Sequence, residues 1–198
     1  MTRLVIATTN PDKLREIRQI LADLPVVLAS LGDFPPIEAP EETGETFEAN
    51  PRLKALAYEP RTHALTVAED SGLVVDGLDG EPGVHSARYL GPDASYPDRF
   101  ADITRRLAAR PERPRTARFV CAVAVASEGR ILWETTAAVE GTIAHEPKGS
   151  AGFGYDPIFF YPPYGRTLGE VSDAEKRAVA HRGQAFRALA RWLERRRA

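Results

Sequence analysis

The stretch "ALTVAEDSGLVVDGL", residues 64–78, decides the fold of this chain. An apolar run meets two adjacent carboxylates, Glu69 and Asp70, and the chain turns apolar again after Ser71 and Gly72. Short apolar runs bounded by turn residues predict buried strands on both sides of "EDSG". The ends of such strands are where α/β proteins place ligand-binding groups. Because adjacent carboxylates repel each other, an uncompensated pair at this place destabilises the fold.

A divalent cation would relieve this repulsion, and magnesium prefers oxygen ligands. A hard metal beside the Ser71 hydroxyl is typical of phosphate chemistry. The alternative is a solvated turn with a capping aspartate. The acidic segment "PEETGETF" offers Glu41 and Glu42 as further carboxylates that could complete a magnesium site. Taken alone, that segment is typical of a solvated acidic loop.

The remaining pattern predicts an α/β fold. "RLVIAT" predicts a buried first strand, and "TARFVCAVAVAS" with "RILWETTAAVEGTI" predicts a hairpin across "SEGR". For the helix that carries Lys54 we expect a start at Pro51, with Asn50 as its N-cap. A hairpin beside strand–helix units predicts a layered α/β/α arrangement around a long mixed, twisted sheet.

Composition narrows the class of protein. The chain has 198 residues, 43% of them hydrophobic and 27% charged, which is ordinary for a soluble domain. No apolar run reaches the ~20 residues of a membrane span, and the N-terminus lacks the features of a signal peptide. The net charge of −2 creates no field that favours nucleic acid, and the one cysteine, Cys121, excludes an internal disulfide. We expect a cytoplasmic protein that binds neither membranes nor nucleic acid.

Lysine is scarce in this chain. Only four of the 26 basic residues are lysines, namely Lys13, Lys54, Lys148 and Lys176, and the others are arginines. Arginine replaces lysine easily where a solvated charge suffices, but poorly where a compact ammonium must fit. Each lysine is therefore a candidate site residue, with chance survival as the alternative.

A polar segment, "TTNPDK", follows the first predicted strand and opens a helix. The N–H groups and the dipole of a helix N-terminus favour an anion, and Thr8, Thr9, Asn10 and Lys13 add donors in the first turn. The glycines of a Walker loop are missing. A well-capped helix, with Asn10 as N-cap and Pro11 in the first position, explains the local pattern equally well.

A glycine-rich loop, "SAGFGYDP", is a candidate binding segment for a nucleotide base. Gly152 and Gly154 allow the backbone to approach a ligand closely. Phe153 and Tyr155 offer flat surfaces for a base, and Asp156 offers a hydrogen-bond acceptor. Taken alone the signal is weak, because loops of glycine and aromatic residues are common.

The segment "EKRAVAHRGQA" places Lys176, His181 and Arg182 within one or two helical turns. We expect one closing helix, opened by the capping box "SDAE" and broken or bent near Gly183. The alternative is an amphipathic surface helix without a binding role.

Six motifs together resemble the inosine triphosphate pyrophosphatase family over nearly the whole chain. In order they are "TxNxxK", "EETGxTF", "EDSGL", "PGxxSARY", "GFGYDPIFF" and "EKxAxxHRGQA". The resemblance implies hydrolysis of inosine, deoxyinosine and xanthosine triphosphates to the monophosphate and pyrophosphate. It also implies magnesium dependence, a homodimer, and a single domain over residues 1–198 with two lobes around a central cleft.

The resemblance also implies roles for individual residues. Residues 8–13 resemble the phosphate-binding segment of the family. Glu41 and Asp70 match the carboxylates that hold the metal, with Glu42 and Glu69 close by, and Asp70 also matches the proton acceptor that activates water.

The other matches are contacts to the substrate. The loop of Phe153, Gly154, Tyr155 and Asp156 matches the base pocket, with Phe153 stacked on the base. The remaining expected contacts, to phosphates or to the 6-keto edge of the purine, are Lys54, Ser71, Arg88, Lys176, His181 and Arg182.

The chain departs from the family pattern at one segment. Where the family reads "TFxENAxxKA", this chain reads "TFEANPRLKA", so that Ala49 replaces a glutamate, Pro51 replaces an alanine, and Glu48 lies one position early. Glu69 stands where many relatives have aspartate. The missing carboxylate motivates an alternative hypothesis, a nucleotide-binding protein with weak catalysis. A pyrophosphatase for pyrimidine or methylated nucleotides is a third hypothesis, which "GFGYDP" and "HRGQA" disfavour.

Overall fold

Residues 2–197, which this computed structural model describes, form five α-helices and seven strands. The helices are α1 (Pro11–Ile20), α2 (Ala49–Thr62), α3 (Tyr96–Ala108), α4 (Asp173–Val179) and α5 (His181–Arg197). The strands are β1 (Arg3–Ile6), β2 (Val27–Ser30), β3 (Leu65–Val75), β4 (Thr116–Ser127), β5 (Arg130–Ile143), β6 (Phe159–Tyr161) and β7 (Arg166–Thr167). Among the described helices, none is both long and apolar enough to cross a membrane.

The strands form one mixed sheet in the order β2-β1-β3-β4-β5-β6-β7. β1 runs parallel to β2 and β3, whereas β6 runs antiparallel to β5 and β7. The predicted α/β fold with a long mixed sheet is confirmed.

The described residues divide into two compact units. Unit 1 consists of residues 2–71, 121–137 and 181–197, and unit 2 consists of Gly72–Val120 and Ala138–Ala180. Strands β3, β4 and β5 each contribute residues to both units. That the whole chain acts as a single domain stays a prediction.

Unit 1 has a core on each side of its strands. One cluster packs α1 and α5 against β1, β3 and β4, with Ile17, Phe186 and Leu189 fully buried. A smaller cluster packs α2 through Ala55 and Tyr58. Helices therefore cover both faces of the strands in unit 1, as the layered α/β/α prediction requires.

Unit 2 has its own core. α3 contributes Phe100, Ile103 and Leu107, which pack with the apolar residues of β3, β5 and β6. The Phe119 and Phe159 rings lie 4.5 Å apart between centroids. Each unit thus buries an apolar cluster of its own.

The hairpin and two helix caps are confirmed. β4 and β5 are joined by Glu128 and Gly129, both with positive φ, as a two-residue hairpin turn requires. Asn10 caps α1, and the capping box of Ser172 and Glu175 opens α4.

Three predicted boundaries are wrong. No strand ends at "EDSG", because β3 continues through it to Val75 and both carboxylates find partners inside the fold. α2 begins at Ala49 with Glu48 as N-cap, so Asn50 is not the cap. The closing helix is divided at Ala180, whose extended backbone separates α4 from α5, rather than near Gly183.

The loop before "GFGYDP" is held against the backbone of Gly169. Ala151 N–H donates to the Gly169 carbonyl at 2.9 Å, and Thr167 Oγ1 donates to the Lys148 carbonyl at 2.7 Å. Gly149 has φ +76, and a Cβ there would overlap the Gly169 carbonyl. Only glycine therefore allows this approach, which positions the start of the candidate base loop.

We predict that Gly149→Ala destabilises the protein by about 3 kcal/mol, because left-handed strain adds to a backbone overlap. Gly165→Ala is the matched control, since Gly165 also has positive φ (+61) but no atom within 4 Å of the added Cβ. The control should cost only about 1 kcal/mol. Urea unfolding measures both values, and equal losses would contradict the close approach.

Candidate functional site

Strand β3 turns Glu69 and Asp70 to opposite faces. Leu65 and Val67 join the cluster of α1 and α5, whereas Ala68 joins the cluster of α2. Successive side chains of a strand alternate between faces. Accordingly, Glu69 contacts residues of α1 and α5, and Asp70 contacts a residue of α2.

Glu69 is the centre of a buried charged cluster in unit 1. Its Oε1 lies 2.7 Å from Lys13 Nζ, an ion pair whose angle is outside ideal hydrogen-bond geometry. Its Oε2 lies 3.3 Å from Arg182 Nε and accepts a hydrogen bond from the Cys121 thiol at 3.1 Å. Arg182 also pairs with Glu16 at 2.7 Å. The cluster therefore holds two cations and two carboxylates.

Glu69 and Arg182 keep each other charged inside this cluster. Burial alone would raise the pKa of Glu69, but the charges of Arg182 and Lys13 outweigh it and hold this pKa well below the ordinary range. Burial lowers the pKa of Arg182, yet Glu69 and its other partners raise it above the usual value. Burial, followed by the charge of Glu69, raises the pKa of Cys121, so the thiol stays protonated and donates.

Asp70 is also buried but has a different environment. Its Oδ2 accepts from Asn50 Nδ2 at 2.9 Å, and its Oδ1 accepts from the Ser71 N–H at 3.0 Å. Within residues 2–197, no cationic group lies at ion-pair distance from this carboxylate. Burial raises the pKa of Asp70, against the opposing effects of the Lys54 charge and the Asn50 hydrogen bond.

The acidic loop lies within electrostatic reach of Asp70. Glu42 adds to the rise in the Asp70 pKa, and its Oε1 pairs with Lys54 Nζ at 3.2 Å. Glu41 is exposed and lines an open cavity of about 570 Å³ together with Ala57 and Arg61. Thus Glu42 is half-buried and acts on Asp70 through its charge, whereas Glu41 is exposed.

The start of α1 is a well-capped helix. Asn10 Oδ1 accepts from the N–H groups of Asp12 and Lys13, and Thr8 Oγ1 accepts from the Asn10 N–H. These amides are therefore already bonded. Thr9 is exposed, and Lys13 is the charged donor that this segment contributes.

The base-pocket candidates of unit 2 are held by one carboxylate. Asp156 Oδ2 lies 2.6 Å from Lys176 Nζ and accepts from the Phe153 N–H at 2.8 Å. Lys176 Nζ lies 4.4 Å from the centre of the Phe153 ring, a cation–π contact. Gly152 has positive φ, and a Cβ there would overlap Asp156 Oδ2. Phe153, Asp156 and Lys176, which the sequence predicts as site residues, thus contact one another, and Asp156 and Lys176 form a buried ion pair.

Tyr155 and Gly154 lie beside this group. The Tyr155 hydroxyl donates to the Ser86 carbonyl at 2.8 Å, and burial raises its pKa above the ordinary value. The Tyr155 ring packs edge-on against Tyr96 at 5.3 Å. Tyr155 is therefore a buried support of the loop rather than an exposed surface for a base.

The remaining predicted site residues, His181, Ser71 and Arg88, differ in their burial. His181 is the buried first residue of α5, next to Arg182. Ser71 Oγ accepts from Arg182 Nη2 at 2.8 Å. Arg88 is exposed at the end of the 3₁₀ segment Gly83–Arg88.

Sequence reasoning missed three residues of these clusters. Asn50 was expected only to cap a helix, although asparagine is as scarce in this chain as lysine, which was a usable signal. Cys121 was used only to exclude disulfides. Glu16 carries no signal in sequence, because its partner Arg182 is 166 residues away.

Within the described residues, no three or more His, Cys, Asp or Glu side chains are close enough to hold a metal ion by themselves. Magnesium usually keeps several waters and needs only one or two protein carboxylates plus substrate phosphates. The buried Asp70 and the half-buried Glu42 offer hard oxygen donors of that number. The residues present therefore fit a magnesium ion that arrives with a phosphorylated substrate.

Comparison with known proteins gives one consistent result. The model of the Ham1 family matches residues 4–192. A relative from Geobacter sulfurreducens, named dITP/XTP pyrophosphatase, is 47% identical over 189 residues, covering 96% of this chain and 95% of the relative. A relative of the same name from Halalkalibacterium halodurans is 41% identical over 196 residues, covering 98% and 100%.

Solved structures share the fold. A HAM1 protein from Coxiella burnetii has a TM-score of 0.89 and 37% identity, covering 98% of this chain and 100% of that chain. The nucleoside-triphosphatase / dITP/XTP pyrophosphatase from Mycobacterium abscessus has a TM-score of 0.76 and 41% identity, covering 95% and 98%.

We predict that Glu69→Gln destabilises the protein by about 3–5 kcal/mol, because it leaves the buried Arg182 and its neighbour Lys13 without their shared countercharge. Glu140→Gln is the control, since it removes one exposed partner of Arg118. That change should cost less than about 1 kcal/mol. Chemical denaturation compares the two, and a small loss for Glu69→Gln would contradict the proposed importance of the cluster.

Proposed function

The chain belongs to the Ham1 family, and from this membership we propose that it is a nucleoside-triphosphate pyrophosphatase acting on deaminated purine nucleotides. The proposed substrates are inosine, deoxyinosine and xanthosine triphosphates, and the products are the monophosphate and pyrophosphate. Water adds to the α-phosphorus, and the bond from that phosphorus to the oxygen bridging to the β-phosphate breaks. The role that follows is removal of damaged purines from the nucleotide pool.

The environment of Asp70 is the observation that carries the proposal. A general base needs an ionised carboxylate with a pKa raised toward the working pH. Burial raises the pKa of Asp70, and its two hydrogen bonds orient the carboxylate. We assign Asp70 as the group that takes the proton from the attacking water.

We propose magnesium as the cofactor. Asp70, Glu42 and Glu41 are the residues that would hold it, and when bound it supplies positive charge to the phosphates. Glu69, which the sequence placed in the same set, has Lys13 and Arg182 as partners and faces the other side of β3. We therefore assign to Glu69 the role of countercharge for these two cations.

Unit 1 supplies the groups proposed for the phosphates. Lys13 is partly exposed, with 18% of its side chain accessible, so its ammonium can exchange Glu69 for a phosphate oxygen. Arg182 donates a hydrogen bond to the Ser71 hydroxyl, and this bond holds the guanidinium group in place. Thr8, Thr9, Asn10, Lys54 and His181 are the further proposed contacts from unit 1, and Arg88 of unit 2 is a further proposed contact.

Unit 2 supplies the groups proposed for the base. Phe153 offers its ring for stacking, and Asp156 with Lys176 offers an acceptor and a donor for the purine edge. A donor aimed at a 6-keto oxygen is left unpaired when adenine presents its amino group. Discrimination through hydrogen bonds of this kind is strong.

The alternative of a catalytically weak binding protein rests on the departure at "FEANP". α2 nevertheless starts at Ala49, and Asn50 still bonds to Asp70. Glu48 accepts from the Thr136 hydroxyl at 2.9 Å, so it does not replace the absent glutamate of the family pattern. The named activity of the relatives also favours the enzyme.

We also propose that the protein works as a cytoplasmic homodimer on free nucleotides. The resemblance to the family supports both points. Light scattering of the purified protein tests the dimer, and a monomeric mass at micromolar concentration would contradict it.

We predict magnesium-dependent release of pyrophosphate from inosine and xanthosine triphosphates, much faster than from adenosine or guanosine triphosphate. Asp70→Asn should lower kcat by at least about 10²-fold, as expected for loss of a general base. Asp76→Asn is the control, because Asp76 pairs with Arg118 and the Thr116 hydroxyl within unit 2 and makes no contact with Asp70 in the described part of the chain. Release of orthophosphate, or equal turnover of all four substrates, would contradict the proposal.

We predict that Asp156→Asn raises KM for inosine triphosphate by about tenfold or more, with a smaller change in kcat. The change keeps an acceptor for the Phe153 N–H but removes the charged partner of Lys176, and charged hydrogen bonds contribute about 1.5–3 kcal/mol. Steady-state kinetics measures this split. Glu170→Gln, an exposed cap of Thr167, should leave KM unchanged. A pure loss of kcat in Asp156→Asn would argue against a base-binding role.

A further inference from the structure

Asn50 links two segments of unit 1 through one buried amide. Its Oδ1 accepts from the Gly44 N–H at 2.9 Å, and its Nδ2 donates to Asp70 Oδ2 at 2.9 Å. The side chain is fully buried, with no accessible surface. One end therefore fixes the acidic loop that carries Glu41 and Glu42, and the other fixes the proposed base.

The chemistry of the link requires a carboxamide. Its two ends need an acceptor and a donor on one short planar group, which an asparagine side chain supplies. Aspartate at this place would accept from Gly44 but would face Asp70 with a second negative charge. Alanine would remove both hydrogen bonds and leave the half-buried Gly44 N–H and the buried Asp70 carboxylate without these partners.

The start of α2 does not depend on this amide. Thr46 Oγ1 accepts from the Ala49 N–H at 3.2 Å, and the N-cap residue, Glu48, makes no side-chain cap hydrogen bond. Asn50 lies inside the first turn, and its side chain points away from the helix to its two partners. Its hydrogen bonds are thus available to position other groups.

The close packing of Gly44 against Asn50 is a second observation on the same link. A Cβ on Gly44 would lie 2.5 Å from Asn50 Oδ1 and 2.8 Å from the Ala49 Cβ. Real Cβ atoms do not approach other atoms this closely, so any side chain at position 44 must displace the amide or the loop. The loop and Asn50 are therefore packed to fit each other.

We propose that Asn50 is a positioning residue that holds the 41–44 loop, with its carboxylates, in place beside Asp70 so that together they bind one divalent cation. This inference rests on the proposed function, because it takes Asp70 as the base and metal ligand. It assigns to Asn50 a role in cation binding rather than a contact with the nucleotide.

Two variants test whether the Asn50 amide links the loop to Asp70. Asn50→Ala removes both hydrogen bonds, and Gly44→Ala displaces the amide without removing any polar side chain. Thr46→Ala is the matched control, because it removes a hydrogen bond at the same helix start that does not lead to Asp70. Circular dichroism and thermal unfolding of each variant establish that it is folded.

We expect Asn50→Ala and Gly44→Ala each to raise the magnesium concentration for half-maximal rate by about tenfold. KM for inosine triphosphate at saturating magnesium should change much less. Thr46→Ala should behave as the wild type. Because both variants act through one link, the double variant should be no worse than the more affected single variant.

A second readout does not require turnover. Electron paramagnetic resonance of Mn²⁺ measures cation binding directly, with an α,β-imido analogue of inosine triphosphate present. Weaker Mn²⁺ binding in both variants, with the control unchanged, supports the inference. Wild-type Mn²⁺ affinity in a folded Asn50→Ala or Gly44→Ala protein overturns it, even when the melting temperature falls, because the amide would then be only structural.

Different results would contradict the proposed function and the proposed role of Asn50. A wild-type protein that releases no pyrophosphate contradicts the proposed function, whatever the variants do. A wild-type protein that releases pyrophosphate, together with variants of unchanged magnesium dependence, contradicts only the role of Asn50.

Discussion

The alternation of side chains along β3 is the constraint on which the candidate site depends. Glu69 and Asp70 are neighbours in the chain, yet they belong to opposite faces of the strand. Two buried carboxylates can therefore be adjacent without sharing an environment. Glu69 has Lys13 and Arg182 as countercharges, whereas the contacts of Asp70 in the described part of the chain are hydrogen bonds from Asn50 and from the Ser71 N–H.

This difference separates two chemical tasks. The Glu69 carboxylate stays ionised and pairs with Lys13 and with the buried Arg182, whose burial without a countercharge would be costly. Among the described residues no cation pairs directly with Asp70, which leaves this carboxylate available to a metal ion or to a proton. A single position shift along β3 would exchange these roles, because every side chain would turn to the other face.

Local features of the structure followed from the sequence. The hairpin turn and the Asn10 cap depend on neighbouring residues, and the strands and helices depend on periodicity, so short windows of sequence contain the needed information. The scarcity of lysine was also informative. Lys13, Lys54 and Lys176 each pair with a carboxylate of the candidate clusters, whereas Lys148 pairs with Glu146 at an exposed position.

Features that depend on distant pairs could not be predicted. The partners of Glu69 lie 52 to 113 residues along the chain at Cys121 and Arg182, and only the folded topology brings them together. Without these partners, a strand that passes straight through "EDSG" looked unfavourable, so an end was expected there. Asn50 was interpreted from its own segment as a cap, because its bond to Asp70 is a tertiary contact.

The position of water attack tests the central claim, that water adds to the α-phosphorus and pyrophosphate leaves, most directly. Hydrolysis of inosine triphosphate in H₂¹⁸O, followed by mass spectrometry of both products, locates the new oxygen. We predict that the label enters inosine monophosphate and that the pyrophosphate stays unlabelled. Label in the pyrophosphate, or in released orthophosphate, would contradict the assigned reaction.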